Sequence, residues 1–168
     1  GELMTSATIT DRLVALSRAL IGRIRGGLAQ VNVLVSMFFA GMNGSVVADT
    51  ATVGALVLPA MKKAGYPAAF SAAVTGVSST IGGIIPPSIM MIVLANSTEI
   101  SIAALFAAGI IPGVLIGVVI MIINHYFAIK YNFERSDEPF SIRRAGKELY
   151  RSSFALLIPL VLVGSVMG

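Results

Sequence analysis

The chain is built of long apolar runs separated by short polar stretches that hold almost all of its charge. Residues 64–98 contain no Asp, Glu, Lys or Arg, residues 101–129 contain none either, and residues 27–61 contain only Asp49. Each run exceeds the roughly 20 residues needed to cross a bilayer core. None shows the alternation of apolar and polar residues that marks a barrel strand. The pattern predicts an all-α integral membrane protein.

Glycine and proline subdivide these runs. As one straight helix, residues 27–61 would extend over about 50 Å, well past a hydrocarbon core of about 30 Å. The stretch "GMNGS", Gly41 to Ser45, reads as a turn. The two arms it defines, Ala29–Gly41 and Ser45–Met61, are each too short to cross without tilt or thinning. A re-entrant helical hairpin, with its tip inside the membrane, reconciles these facts. The next run, 66–97, contains "SSTIGGIIPPS" from Ser78 to Ser88. Paired glycines loosen a helix and prolines remove backbone donors, so this run predicts a broken transmembrane helix. Residues 101–129 read as a transmembrane helix in which Gly109, Gly113 and Gly117 form a stripe suited to close helix packing. Residues 9–25 and 141–152 are amphipathic and basic, and read as surface arm helices or ordinary amphipathic connectors. Residues 153–168 read as the start of a further transmembrane helix.

Composition agrees with this picture. Of 168 residues 56% are hydrophobic and 12% charged, whereas a soluble domain would carry roughly twice that charge. The mean hydropathy is +0.89. Twelve Lys and Arg against eight Asp and Glu give a net charge of +4, with the basic residues flanking the apolar runs. That placement is an orientation signal and does not point to nucleic acid. If residues 27–61 enter and leave on one side, Arg18, Arg23, Arg25, Lys62 and Lys63 share a face with Lys130, Arg135, Arg143, Arg144, Lys147 and Arg151. The positive-inside rule makes that face cytoplasmic, whereas a single spanning helix over 27–61 would place four arginines outside. The absence of cysteine removes disulfides and thiolate metal sites. The chain opens without an initiator Met and closes in "SFALLIPLVLVGSVMG", which leads us to expect an excerpt from a longer membrane protein.

Two polar stripes run through the apolar segments. Ser45, Asp49 and Thr52 share one helical face, and Ser71, Thr75 and Ser78 repeat the spacing and lead into the broken stretch. Hydroxyls at such depth either bond back to a preceding carbonyl or line a polar interior. Two stripes, each attached to a helix break, favour a pathway for a solute or ion. Asp49 lies one turn inside a helix start, where the dipole favours a carboxylate. It either ties down the hairpin tip or coordinates an ion and offsets charge near a substrate. Freed carbonyls at helix breaks are hard ligands for alkali cations, and half-helix N-termini attract anions. An enzyme is not expected, since Asp49 and His125 fall in separate segments and no paired aspartates or Ser–His pair accompany them. A non-transporting membrane scaffold would account for the glycine stripe but would leave both breaks without a use.

The segment "RIRGGLAQVNVLVSMFFAGMNGSVVADTATVGALVLPAMKKAGYP", followed by "STIGGIIPPSIMMIV", closely resembles the large permease subunit of tripartite ATP-independent periplasmic (TRAP) transporters, the DctM-like family. The resemblance implies an elevator-type ion transporter fold, of which this chain would hold the first of two inverted repeats. It implies sodium-driven uptake of small organic acids of the C4-dicarboxylate, sialic acid or keto acid class. The implied partners are a small DctQ-like membrane subunit and a periplasmic solute-binding receptor, in a prokaryotic cytoplasmic (inner) membrane. Carried over residue by residue, Asn43, Gly44 and Ser45 match the first hairpin tip, while Ser78, Ser79, Thr80, Gly82 and Gly83 match the break facing it. Together these form the candidate sodium cradle; no cofactor beyond Na+ is implied. Pro86, Pro87 and Ser88 would restart the helix and turn N–H groups toward a substrate carboxylate, with Asp49 and Thr52 nearby. Many relatives have Ser where this chain has Asn43, whose amide oxygen can also coordinate sodium. The alternatives are another secondary carrier of related inverted-repeat fold, or the scaffold described above.

Overall fold

The computed structural model describes residues 21, 24–133, 161 and 164. The expected helix over 141–152, and nearly all of those over 9–25 and 153–168, therefore lie outside the described residues. Five α-helices make up the described part: α1 Gly27–Asn43, α2 Val46–Lys63, α3 Ala68–Ser79, α4 Ile89–Thr98 and α5 Ile102–Lys130. A single 3-10 turn, Thr80–Gly83, follows α3 directly.

The breaks follow from local chemistry. Helix α1 ends because Gly44 takes the left-handed conformation at φ 57° and returns its N–H to the Ala40 carbonyl. Ser45 is extended, and its Oγ accepts the Ala48 N–H at 3.4 Å, which starts α2 at once. Only Gly44 and Ser45 separate the two helices, so α2 folds back onto α1. The helix persists to Asn43, two residues past the expected end of the arm at Gly41, because Gly41 is accommodated as a buried packing position. Helix α3 tightens into the 3-10 turn at Thr80, and irregular backbone continues from Ile84 to the cap of α4 at Ser88. Ser88 Oγ accepts the Met91 N–H at 3.4 Å and donates to the Gly83 carbonyl at 2.8 Å, tying the two sides of the break together.

Helices α1, α2 and α3 pack on one another, and the 3-10 turn sits on α1 and α2. Their core contains Val31, Val35, Phe39, Val53, Val57, Met61, Val74 and Ile81. Helix α5 lies against α1 and α4. It is long and apolar enough to cross a membrane. Its buried residues, Phe106, Gly109, Gly113, Gly117, Ile120, Asn124 and Ala128, form one stripe of mostly small side chains, while Ile111, Leu115, Val118, Ile122 and Ile123 face outward. A helix with its large aliphatic residues outside and its small ones inside is packed for a lipid surround. The glycine stripe is a contact surface. Gly109 faces the Ile84 carbonyl and Met91, Gly113 faces Ile85, and Gly117 faces Met37. It thereby seats α5 against the irregular backbone of the break.

Candidate functional site at the hairpin tip

The hairpin tip meets the broken helix through backbone. A Cβ on Gly44 would overlap the Pro87 carbonyl oxygen outright and stand 3.0 Å from Ser88 Cα. Glycine is required there twice, for the positive φ and for the approach. The Ile89 N–H donates to the Gly44 carbonyl at 3.2 Å, fastening the start of α4 to the tip. On the other side, a Cβ on Gly82 would lie 3.7 Å from the Ser45 carbonyl, and one on Gly83 would lie 3.4 Å from Val46 Cγ2. Gly44 and Ser45 are thus wedged between the 3-10 turn and Pro87–Ser88.

Behind this contact lies buried oxygen chemistry. Asp49 is fully buried. Neither of its carboxylate oxygens has a hydrogen-bond partner among the described residues, and nor does the buried Ser79 Oγ. The hydroxyls of Ser79 and Ser36 stand near enough to the Asp49 carboxylate to act on it as weak donors, though beyond ordinary hydrogen-bond distance. Withdrawing a carboxylate from water without a partner costs several kcal/mol. Helix α2 supplies Asp49, α3 supplies Ser79 and α1 supplies Ser36, so three helices converge on one buried carboxylate without a close partner.

A satisfied network backs the cluster. Ser36 Oγ donates to Ser78 Oγ at 3.3 Å, and Ser78 Oγ lies 3.3 Å from Asn32 Oδ1. Asn32 Nδ2 donates to Thr75 Oγ1 at 2.7 Å. The Ser71, Thr75 and Ser78 stripe therefore meets both expectations at once. Ser71 and Thr75 bond back to the carbonyls of Pro67 and Ser71, while Thr75 and Ser78 also face polar groups of α1. Asn32 and Ser36 were not identified from the sequence, although their i, i+4 spacing in an apolar helix is a signal of the same kind. Gln30 and Asn124 were also missed. Gln30 Nε2 donates to the Met121 carbonyl at 2.8 Å, joining α1 to α5.

The sequence candidates separate into groups. Gly44, Ser45, Gly82 and Gly83 are brought together, and Ser78 and Ser79 lie in the last turn of α3 beside Asp49 and Ser36. Asn43 and Thr80 are exposed, and the Thr80 hydroxyl donates to the Val77 carbonyl at 2.7 Å. Thr52 is half-buried, close to one turn beyond Asp49 on α2. Pro86 and Ser88 are buried. At the start of α4 the Ile89 N–H is taken by Gly44 and the Met91 N–H by Ser88, so this terminus has two fewer donors for an anion. The carbonyls of Gly44 and Gly83 each accept one hydrogen bond and keep a second lone pair. A carboxylate, hydroxyls and carbonyls form a hard oxygen donor set, which fits an alkali cation.

The family model of the tripartite ATP-independent periplasmic transporter, DctM component, matches residues 1–168. The sialic acid TRAP transporter permease protein SiaT of Haemophilus influenzae is 38% identical over 169 residues, covering 100% of this chain and 27% of the relative. The C4-dicarboxylate TRAP transporter large permease protein DctM of Pseudomonas aeruginosa is 42% identical over 128 residues, covering 76% of this chain and 30% of the relative. The 2,3-diketo-L-gulonate TRAP transporter large permease protein YiaN of Escherichia coli is 36% identical over 164 residues, covering 98% of this chain and 38% of the relative. The chain spans well under half the length of these curated relatives.

Proposed function

The chain belongs to the DctM component family of tripartite ATP-independent periplasmic transporters, and on that premise we propose that it is part of a sodium-coupled permease that takes up small organic acids. In this reading α1 and α2 form a re-entrant hairpin, α3 and α4 form the broken transmembrane helix that faces its tip, and the fold works as an elevator. The observation that carries the proposal is the fully buried Asp49 carboxylate, unpartnered and flanked by Ser36 and Ser79.

Charge decides what that cluster can hold. The apolar runs 27–61, 66–97 and 101–129 contain no Lys or Arg. An organic acid placed directly against Asp49 would meet a like charge in a medium of low dielectric, which is strongly unfavourable. A cation would satisfy the same carboxylate. Asp49, Ser36 and Ser79 are the side-chain donors for sodium in this reading, alongside the tip and break residues from Asn43 to Ser45 and from Ser78 to Gly83. When bound, sodium supplies the positive charge that makes a nearby substrate carboxylate tolerable. Pro86 to Ser88 and Thr52 line the substrate side.

The substrates that the relatives' names give are all organic acids, which supports that class without choosing a member. By the same reasoning the full-length protein works with a small membrane subunit and a periplasmic receptor. It resides in the cytoplasmic (inner) membrane with its basic loops inside. The test is uptake by the complete reconstituted transporter with sodium or choline outside. Uptake should require sodium, and Ser79→Ala and Asn43→Ala should weaken sodium activation more than expression. Equal uptake in choline, or unchanged sodium activation in both variants, overturns the reading.

A further inference from the structure

At the other end of the hairpin, the loop after α2 and the residues after α5 enclose a cavity of about 510 Å³ lined by Lys63, Gly65, Pro67, Tyr131, Asn132 and Phe133, with Ala64 completing the wall. From this we infer that the cavity is a binding site for the headgroup of an anionic phospholipid. The inference rests on the membrane placement proposed above.

Two helix ends meet at this cavity, and in each a left-handed cap takes up carbonyls of the last turn. At the end of α2, Gly65 at φ 78° bonds the Lys62 carbonyl and Tyr66 bonds the Met61 carbonyl, at 3.1 and 3.0 Å. At the end of α5, Asn132 at φ 51° bonds the Ile129 carbonyl and Phe133 bonds the Ala128 carbonyl, at 3.2 and 3.0 Å. These are matching left-handed caps. Among the exposed side chains at the cavity, the Lys63 ammonium is a pure donor and the Asn132 amide adds an N–H donor beside it.

The charge balance favours an anion. Each helix C-terminus carries about −0.5 of an elementary charge, whereas Lys62, Lys63 and Lys130 stand in the last turns of the two helices. Lys130 Nζ lies 5.9 Å from the Tyr131 ring, which places its charge beside a lining residue. The described carboxylates cannot compensate. Asp49 is in the first turn of α2, about 20 Å from Lys63 along the helix, and Glu99 precedes α5 at its opposite end. The remaining walls are apolar or aromatic, and Tyr126 and Ile129 continue as an exposed surface along α5. A phosphate at Lys63 and Asn132 would thus have a surface for its acyl chains to follow. Lysine and tyrosine at one level of a membrane helix mark the lipid headgroup region, where basic pockets take anionic lipids.

The experiment is native mass spectrometry of the full-length permease, purified with phosphatidylglycerol and phosphatidylcholine in equal amounts. The wild type should retain phosphatidylglycerol in preference. Lys63→Gln with Asn132→Gly, which removes the amide and keeps the left-handed backbone unstrained, should lower that preference roughly tenfold, while Lys63→Arg keeps it, and all should melt alike in phosphatidylcholine. Inorganic phosphate in excess should leave the retained lipid in place. An unchanged preference in the double variant overturns the inference. So does displacement by inorganic phosphate, which would make this a free-phosphate site. A preference that emerges only after neutralising Glu134, Asp137 and Glu138 also overturns it, assigning the cavity to the chain's own acidic stretch. Sodium-driven uptake is measured separately, so failure here and failure of the proposed function are distinguishable.

Discussion

Replacing Gly44 with alanine tests the contact between hairpin tip and broken helix at a single atom. Three costs follow from the geometry. A left-handed backbone costs a non-glycine residue roughly 1–2 kcal/mol. The new Cβ overlaps the Pro87 carbonyl oxygen, which is backbone and cannot rotate away, and such overpacking costs typically 1–3 kcal/mol. The shift that relieves it stretches the 3.2 Å hydrogen bond from Ile89 to Gly44, worth about 0.5–1.5 kcal/mol. The variant should therefore lose about 2.5–6.5 kcal/mol of local stability, a large share of an ordinary folding free energy. Gly82→Ala is the control, because its Cβ would make only ordinary contact at 3.7 Å with Ser45 and should cost under about 1 kcal/mol. Both variants of the full-length permease should be compared by thermal unfolding and by uptake in proteoliposomes. Gly44→Ala should unfold several degrees lower and transport on the order of a hundredfold more slowly, as expected when a positioned site moves by about 1 Å. Gly82→Ala should unfold like the wild type. Gly44→Ala matching Gly82→Ala in both assays would refute the reasoning.

Other substitutions probe separate parts of the account. Asp49→Asn removes a buried charge without partners, so thermal stability in the absence of sodium should hold or rise while sodium-activated uptake falls; a loss of both would mark Asp49 as a structural tie. Asn32→Leu leaves Thr75 without its α1 donor and Ser78 without its α1 acceptor and should cost about 1–3 kcal/mol in unfolding measurements. Along the α5 stripe, Gly109→Ala should destabilise more than Gly117→Ala. The first Cβ would meet the Ile84 carbonyl at 2.6 Å, whereas the second meets the flexible Met37 side chain. Equal melting temperatures for those two variants would contradict the packing described.

Glycine, proline and serine made much of this arrangement legible in the sequence. Gly44 and Ser45 end one helix and cap the next within two residues. Gly82, Gly83, Pro86 and Pro87 lie within or directly after the 3-10 turn, where they interrupt the helix. These signals are local, because they depend on the backbone freedom and donors of the residues themselves. The partners of the polar groups were less legible. Ser71, Thr75 and Ser78 were visible as a stripe, but their α1 counterparts Asn32 and Ser36 are 42 to 46 residues away in the pairs involving Ser78. Spacing along one helix shows that polar groups share a face; it does not say which other helix meets it. Thr80 shows the same limit, since its place in a hydroxyl-rich stretch gave no sign that it would turn outward and bond to Val77. The opposed caps at Gly65 and Asn132 depend likewise on a long-range meeting, between the ends of α2 and α5.

The most direct test of the cation site is the thermal shift that sodium produces in the purified full-length permease. A ligand bound only to the folded state stabilises it by about 2.7 kcal/mol at a hundred times its dissociation constant. Sodium at saturating concentration should therefore raise the melting temperature by several degrees over choline at equal ionic strength. Asp49→Asn and Ser79→Ala should remove that shift without lowering the melting temperature in choline. A full sodium shift that persists in both variants, or no sodium shift in the wild type, would contradict the account.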